Sequence, residues 1–495
     1  MTGVRDSARD SEANFLAVDL GASSGRVLLG TLGNERFTVR ELHRFDNGPV
    51  RLGKSLYWNV LGLWANIQDA LSLYARDHQA PLDGIGVDTW GVDFALLDRD
   101  GQLLGNPHHY RDPRTDRVME GVFAQLPKPE LYRRTGLQFM QINTLYQLYS
   151  MKESPQLEAA DTLLMMPDLF HYWLTGVKKG ETTVASTSQL LDARTRGWDT
   201  GLLEQLGLPS RILPPLVTPG TVLGTLRSEV AKTAQLPPDT PVVAPATHDT
   251  ASAVAAISGG GMFISSGTWS LVGAEVAEPV LTPEALRRDF TNESGVGGTV
   301  RLLKNVAGSW PLLECRREWL GAGQNLGWDE LFALGDRARP FRSLIDPGAE
   351  TFLNPESMTH AIRAACRQHG EPEPGSVGEF VRCCLESLAL KYRSVLDDLE
   401  VLTGAPAQTV RIVGGGAQNA RLNQYTANAC ARPVVAGPVE ATALGNLMMQ
   451  AVARGFLDLR AGRRTVGASS PQTHFEPRDR AAWDEAYGRF RQIAS

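Results

Sequence analysis

The stretch Ala17-Val18-Asp19-Leu20-Gly21-Ala22-Ser23-Ser24-Gly25-Arg26-Val27-Leu28-Leu29 constrains the fold more than any other. An apolar run enters a short polar turn and leaves as a second apolar run. That is the pattern of two strands joined by a tight hairpin. The turn carries one acid, two serines and an arginine, with Gly21 and Gly25 allowing the backbone close to a ligand. Backbone N–H groups in such a turn can cradle phosphate oxygens. Asp19 suits a divalent metal held through water, because a small hard cation sheds its waters reluctantly. A plain hairpin turn accounts for the same residues, so the motif gains weight only from its company.

That company exists. The apolar strand 262–266 runs into Gly267-Thr268-Trp269-Ser270, and the strand 409–413 runs into Gly414-Gly415-Gly416. A second acidic turn, Thr247-His248-Asp249-Thr250, follows the apolar residues 242–246. One glycine turn is weak evidence. Three after strands, with two acids in turns after strands, suit a nucleotide held between two domains. Hairpins are predicted at residues 15–32 and 36–45, and helices at residues 60–75 and 379–402. Residues 85–98 read as strand, polar turn and strand, and residues 111–206 as helices and loops. The proline-bounded segment 237–247 is a candidate hinge. Each half opens with strands that carry glycine turns and closes with helices, a duplicated α/β plan.

A chain of 495 residues exceeds one core and should form at least two domains. We expect a disordered tail at 1–13, a domain at 14–247 and a second at 248–495. The net charge of −6 provides no basic field for nucleic acid or an anionic membrane. No run of about twenty apolar residues suggests a membrane span, and the polar first fourteen residues lack the apolar centre of a signal peptide, so a cytoplasmic location is expected. The five cysteines form no paired CxxC pattern and read as buried thiols. His108-His109 is an adjacent pair whose rings point apart, which argues against a metal site.

The motifs resemble a known family. Residues 19–26 look like the first phosphate loop of the sugar kinase, hexokinase and actin superfold, Ser265-Ser266-Gly267-Thr268 like its second, and Val413-Gly414-Gly415-Gly416 like its adenosine loop. Together with Val87-Asp88-Thr89-Trp90-Gly91-Val92-Asp93-Phe94, Asn143-Thr144-Leu145-Tyr146-Gln147-Leu148 and His248-Asp249-Thr250-Ala251-Ser252-Ala253-Val254, they resemble the FGGY carbohydrate kinases over nearly the whole chain, in the family's order.

The resemblance implies two actin-like (ribonuclease H-like) α/β domains flanking a nucleotide and sugar cleft, the N-terminal one binding sugar and carrying the first phosphate loop, the C-terminal one binding nucleotide. It implies ATP and Mg²⁺ as cofactors and a sugar as the other partner, with no nucleic acid. L-Rhamnulose, phosphorylated to L-rhamnulose 1-phosphate in L-rhamnose catabolism, is the best-matched substrate. Another ketose or polyol, such as L-fuculose or D-xylulose, is the alternative within the family. A non-kinase ATPase or a sugar sensor of the same superfold fits less well, for want of a substrate-binding domain or a basic DNA-binding module.

Residue by residue, Asp249 is the expected general base, since phosphoryl transfer to a hydroxyl needs a carboxylate in reach of the departing proton. Asp249 could equally cap the alanine-rich helix that follows it, and the two roles are compatible. Ala22, Ser23, Ser24, Gly25, Arg26, Thr268, Asn305 and Gly415 are expected at ATP; Gly91, His248, Asp249 and Thr250 at the sugar; and Asp19 at the metal through water. Trp90 and the segment Tyr110-Arg111-Asp112 are further candidates for the sugar cleft. At Leu313, followed by Glu314, the family pattern has a glutamine eight residues after Asn305, so that nucleotide contact is not carried over.

Overall fold

The structure is a computed structural model that describes residues 12–78, 80–258, 261–353 and 355–494. The expected tail, 1–13, falls mainly outside the described residues, and Ala13 already opens the first strand.

The chain forms two compact units. The first comprises Met1–Ser258, Val276–Leu302 and Ala441–Ser470, and the second Gly259–Glu275, Leu303–Glu440 and Pro471–Ser495. The division expected between Thr247 and His248 is therefore not a single cut. The helix Ala441–Ala453 belongs to the first unit because it packs on four strands there and on the helix Asp249–Ala255. Gly445 permits that helix contact, since a Cβ would lie 1.8 Å from the carbonyl oxygen of Ser252.

The first unit is built on β1 (Ala13–Leu20), β2 (Ser24–Gly33), β3 (Arg36–Asp46), β4 (Gly84–Thr89), β5 (Thr221–Thr225) and β6 (Pro241–Ala244), in the order β5-β6-β4-β1-β2-β3. Strands β6, β4 and β1 run parallel, and the flanking pairs are antiparallel. Because side chains alternate along a strand, Leu16, Val18, Leu20, Ile85 and Val87 enter one core with the helices Val60–Asp77 and Met166–Thr175. Gly84, Gly86 and Asp88 take the other phase. The two glycines leave room for Asn446 and Gln450 of the helix Ala441–Ala453, which a Cβ on either would meet at 2.6 Å. The segment 237–247, expected as a hinge, lies inside this unit, and its Pro241–Ala244 is a paired sheet strand. Residues 94–213 add a second, largely helical core.

The second unit repeats the pairing plan. Its strands β7 (Met262–Ser266), β8 (Ser270–Val276), β9 (Val410–Val413), β10 (Val434–Ala436) and β11 (Thr473–Phe475) lie in the order β8-β7-β9-β10-β11. Pairing is antiparallel, parallel, parallel and antiparallel along that order, as it is along β2-β1-β4-β6-β5. The long helix Val377–Thr403, capped by Ser376, supplies much of its core. All five cysteines are buried thiols.

Candidate active site

The functional candidates of the first unit cluster at the carboxyl ends of its parallel strands, where open α/β sheets bind ligands. Asp19 is the penultimate residue of β1, and Asp88, directly beside it in parallel register, the penultimate residue of β4. The chain leaving β6 pairs His248 with Thr89, which puts Asp249 beyond the end of the third strand. Asp88 is fully buried, accepts a 2.6 Å hydrogen bond from Asn446 Nδ2, and leaves its Oδ1 without a partner. Burial, then the neighbouring Asp19 carboxylate, push Asp88 well above the usual carboxylate range; Asn446 opposes the shift and Asp249 adds to it. An orphaned buried oxygen beside two other carboxylates is an environment that a hard cation relieves. Sequence reasoning quoted Asp88 within a motif and gave it no role.

The turn after β1 is self-bonded: Gly21 N–H donates to Ser24 O at 2.9 Å, and Asn47 Nδ2 donates to Gly21 O at 2.7 Å. Ser23 is exposed, Ala22 and Ser24 are half-buried. Gly25 is buried and must be glycine for packing, because a Cβ would strike the Phe45 ring at 2.2 Å. Arg26 faces Asp19 across the hairpin, and the guanidinium donates to Asp19 Oδ2 at 2.6 Å.

His248 is the residue preceding the helix Asp249–Ala255 and makes no side-chain cap; Asp249 is its first residue, so the capping role considered for Asp249 is not realised. Asp249 Oδ1 accepts from Thr250 N–H at 2.5 Å and from Thr250 Oγ1 at 3.1 Å, and His248 Nε2 lies 3.4 Å from it. These donors gather on one carboxylate oxygen. Behind the dipeptide two buried acids fix the backbone and ring. Glu181 accepts from Thr247 N–H at 3.0 Å and Thr247 Oγ1 at 2.6 Å, and Thr183 Oγ1 accepts from His248 N–H at 3.2 Å. Glu293 lies 3.4 Å from His248 Nδ1 and 2.9 Å from Arg301. Burial raises the Glu293 carboxyl, but the Arg301 guanidinium and the His248 ring outweigh it and hold the group below its ordinary value.

Gly91 sits in a constrained turn. A Cβ would meet Thr187 Oγ1 at 2.9 Å, so Thr187, which also accepts from Val92 N–H at 2.9 Å, is what demands glycine here. Val92 holds φ at +66°, which is costly for a β-branched residue and typical of functional turns. Trp90 is buried, with its ring centroid 3.9 Å from that of Trp58, and both indoles donate to Asp93. Burial pushes Asp93 up to about 6, against the hydrogen bonds from Gln147 and the two tryptophans. The His109 ring lies 4.2 Å from that of Trp58, tilted by 35°, and burial takes both His108 and His109 down to about 4. Asp112 is buried and accepts from Leu56 N–H at 2.6 Å, which makes it a pillar of this turn. Among the described residues no group of three or more His, Cys, Asp or Glu is placed to hold a metal ion directly.

Of the candidates in the second unit, Thr268 and Gly415 line one cavity of about 470 Å³. Gly267 and Thr268 follow β7, and Gly415 and Gly416 follow β9, again at carboxyl ends of adjacent parallel strands. The glycines divide by role. A Cβ on Gly416 would lie 2.0 Å from Ser266 Oγ, and one on Gly308 2.5 Å from Thr268 O, whereas one on Gly415 meets nothing within 4 Å. Gly415 is thus the position open to a ligand. Leu313 lines the cavity where the family pattern has glutamine, and Glu314 instead pairs with Arg317 at 2.9 Å. Asn305, on the strand Val300–Val306, is not among the lining residues.

Comparison with known proteins identifies the family and the fold. Residues 15–256 match the model of the FGGY family of carbohydrate kinases, N-terminal domain, and residues 262–454 that of the C-terminal domain. The chain is 45% identical over 484 residues to the rhamnulokinase of Bacteroides thetaiotaomicron, covering 97% of this chain and 99% of that one. It is 44% identical to the rhamnulokinase of Pectobacterium carotovorum, covering 97% and 96%, and 40% identical to that of Oceanobacillus iheyensis, covering 90% and 94%. Its fold matches the gluconate kinase of Lactobacillus acidophilus with a TM-score of 0.81 at 16% identity, covering 98% of this chain and 97% of that one. It also matches the glycerol kinase of Plasmodium falciparum with ADP, with a TM-score of 0.79 at 15% identity and 98% of each chain covered.

Proposed function

The chain belongs to the FGGY family of carbohydrate kinases, and from that membership we propose that it transfers the γ-phosphoryl group of ATP to L-rhamnulose, giving L-rhamnulose 1-phosphate. The observation that carries the sugar is the identity of 40–45%, over nearly the full length, to three rhamnulokinases. No helix of the described residues is long and apolar enough to cross a membrane; a cytoplasmic location is part of the proposal.

Asp249 takes the proton of the sugar hydroxyl as its oxygen attacks the γ-phosphorus and ADP leaves. The donors on Oδ1 orient the carboxylate and leave Oδ2 for the substrate. His248 and Thr250, with the turn at Gly91, bind the sugar. The self-bonded turn of residues 21–26 contacts the transferring phosphate, with Arg26 offsetting its charge. Gly267 and Thr268 hold the other phosphates, Gly415 lets adenosine approach the backbone, and Asn305 assists at the nucleotide. The residues fit Mg²⁺: Asp19 would hold it through water beside the orphaned oxygen of Asp88. Such an ion neutralises phosphate charge as the bond breaks.

A panel of ketoses and polyols in an ADP-release assay tests the reading, with L-rhamnulose, L-fuculose and D-xylulose included. L-Rhamnulose should give the highest kcat/KM. A higher value for another sugar moves the chain to a different branch of the family, and no sugar-dependent ADP release refutes the kinase reading.

A further inference from the structure

Behind the candidate base lies a buried ion pair that no phosphate-binding or sugar-binding motif accounts for. Arg301 is fully inaccessible and Glu293 almost so. Burying such a pair is costly unless its geometry is fully used. Arg301 Nε donates to Ser294 O at 3.0 Å, while one terminal nitrogen of the guanidinium lies 2.9 Å from Glu293 Oε2 and 3.1 Å from His248 Nδ1. A guanidinium has donors and no acceptor, and it does not lose its proton. Glu293 Oε2 also lies 3.4 Å from Nδ1, but the shorter contact, 3.1 Å, is to the guanidinium, and a nitrogen that accepts from it presents a lone pair, which leaves the ring proton on Nε2. That nitrogen is the one 3.4 Å from Asp249 Oδ1. In the other tautomer a ring lone pair would face the Asp249 carboxylate, and Nδ1–H would face the guanidinium, with only the more distant Glu293 Oε2 to accept it.

We propose that Arg301 and Glu293 are positioning residues for phosphoryl transfer: they hold His248 in its Nε2–H tautomer, so that its proton is aimed at Asp249 Oδ1 and the other carboxylate oxygen stays available to the sugar hydroxyl. Glu293 anchors the guanidinium; Arg301 selects the tautomer; His248 turns the base. The Thr250 donors act on the same oxygen from the opposite flank of the chain. The proposal rests on the kinase reading of His248 and Asp249, but the tautomer can be observed without turnover.

The test is nitrogen NMR of the protein labelled with ¹⁵N-histidine, with the His248 signal identified by its loss in His248→Gln. The ligand-free wild type should show a bare Nδ1 and a protonated Nε2. Arg301→Met and Glu293→Gln should mix the tautomers and lower kcat for the sugar roughly 10–100-fold, as loss of an orienting partner does, while the KM for ATP stays within about twofold. Arg301→Lys keeps the buried charge, so it guards against misfolding in Arg301→Met. Its compact ammonium cannot reproduce the planar fork, and it should show the same two changes, less severely. A wild-type signal with Nδ1 protonated overturns the proposal. So does a folded variant whose kcat falls with the tautomer unchanged, or one in which neither changes. Absence of sugar kinase activity in the wild type would instead refute the functional reading while the NMR result still stands.

Discussion

Asp249→Asn separates catalysis from architecture most cleanly. An asparagine oxygen can keep the 2.5 Å and 3.1 Å hydrogen bonds from Thr250, but its amide then places a donor where Oδ2 was. The base is lost and the local scaffold kept. General-base catalysis contributes roughly 10²–10⁴-fold, which at about 1.36 kcal/mol per decade is a barrier increase of about 3–5 kcal/mol. Stability should move the other way. The Asp249 charge is one of the factors that raise buried Asp88, so its removal relieves repulsion and the thermal midpoint should hold or rise. In an ADP-release assay at saturating sugar, kcat should drop by that factor while the KM for ATP changes little, because the cavity proposed for the nucleotide belongs to the second unit. Turnover within threefold of wild type would remove Asp249 from the chemistry. A midpoint lowered by several degrees would show that the carboxylate is part of the scaffold.

Gly415→Ala should leave the thermal midpoint near wild type and raise the KM for ATP, since its Cβ meets only open cavity, whereas Gly416→Ala should cost roughly 1–3 kcal/mol of stability against Ser266; similar midpoints for the two would refute the division of roles. Arg26→Ala should lower kcat and also the midpoint, because it removes a guanidinium that offsets the Asp19 charge beside Asp88, and Asp19→Asn in the same chain should recover the midpoint without recovering turnover; full turnover in Arg26→Ala refutes a role for the arginine at ATP. Burial takes His171 down to about 3, and its Nε2 accepts from Val87 N–H at 3.2 Å. A histidine depressed below its unfolded value binds fewer protons folded than unfolded, so its contribution is complete above about 6.5 and is lost as pH falls toward 3. His171→Gln should therefore flatten the fall of the thermal midpoint between pH 6.5 and 4, and parallel pH curves for wild type and variant would exclude the effect.

What could be read along the chain is what local chemistry encodes. Apolar runs and glycine turns marked the strands around residues 19–26, 267–268 and 414–416 and the acid Asp249 beyond its strand, and apolar periodicity marked helices at 60–75 and 379–402, which the structure extends to Val60–Asp77 and Val377–Thr403. The family follows from those motifs and their order. The reasons behind several residues did not follow. Gly25 and Gly91 looked like ligand-approach glycines, yet Phe45 and Thr187 are what exclude a side chain there. Prolines around 237–247 looked like a linker, yet the segment supplies a strand between two others. Asp88 becomes a neighbour of Asp19 only through parallel register, and Glu293 and Arg301 reach His248 from some fifty residues away. Turn and periodicity signals depend on residues a few positions apart, so the sequence states them openly. Register, the supports of a catalytic ring and the assembly of a unit from three segments depend on which surfaces meet after collapse, and only the folded chain brings those surfaces together.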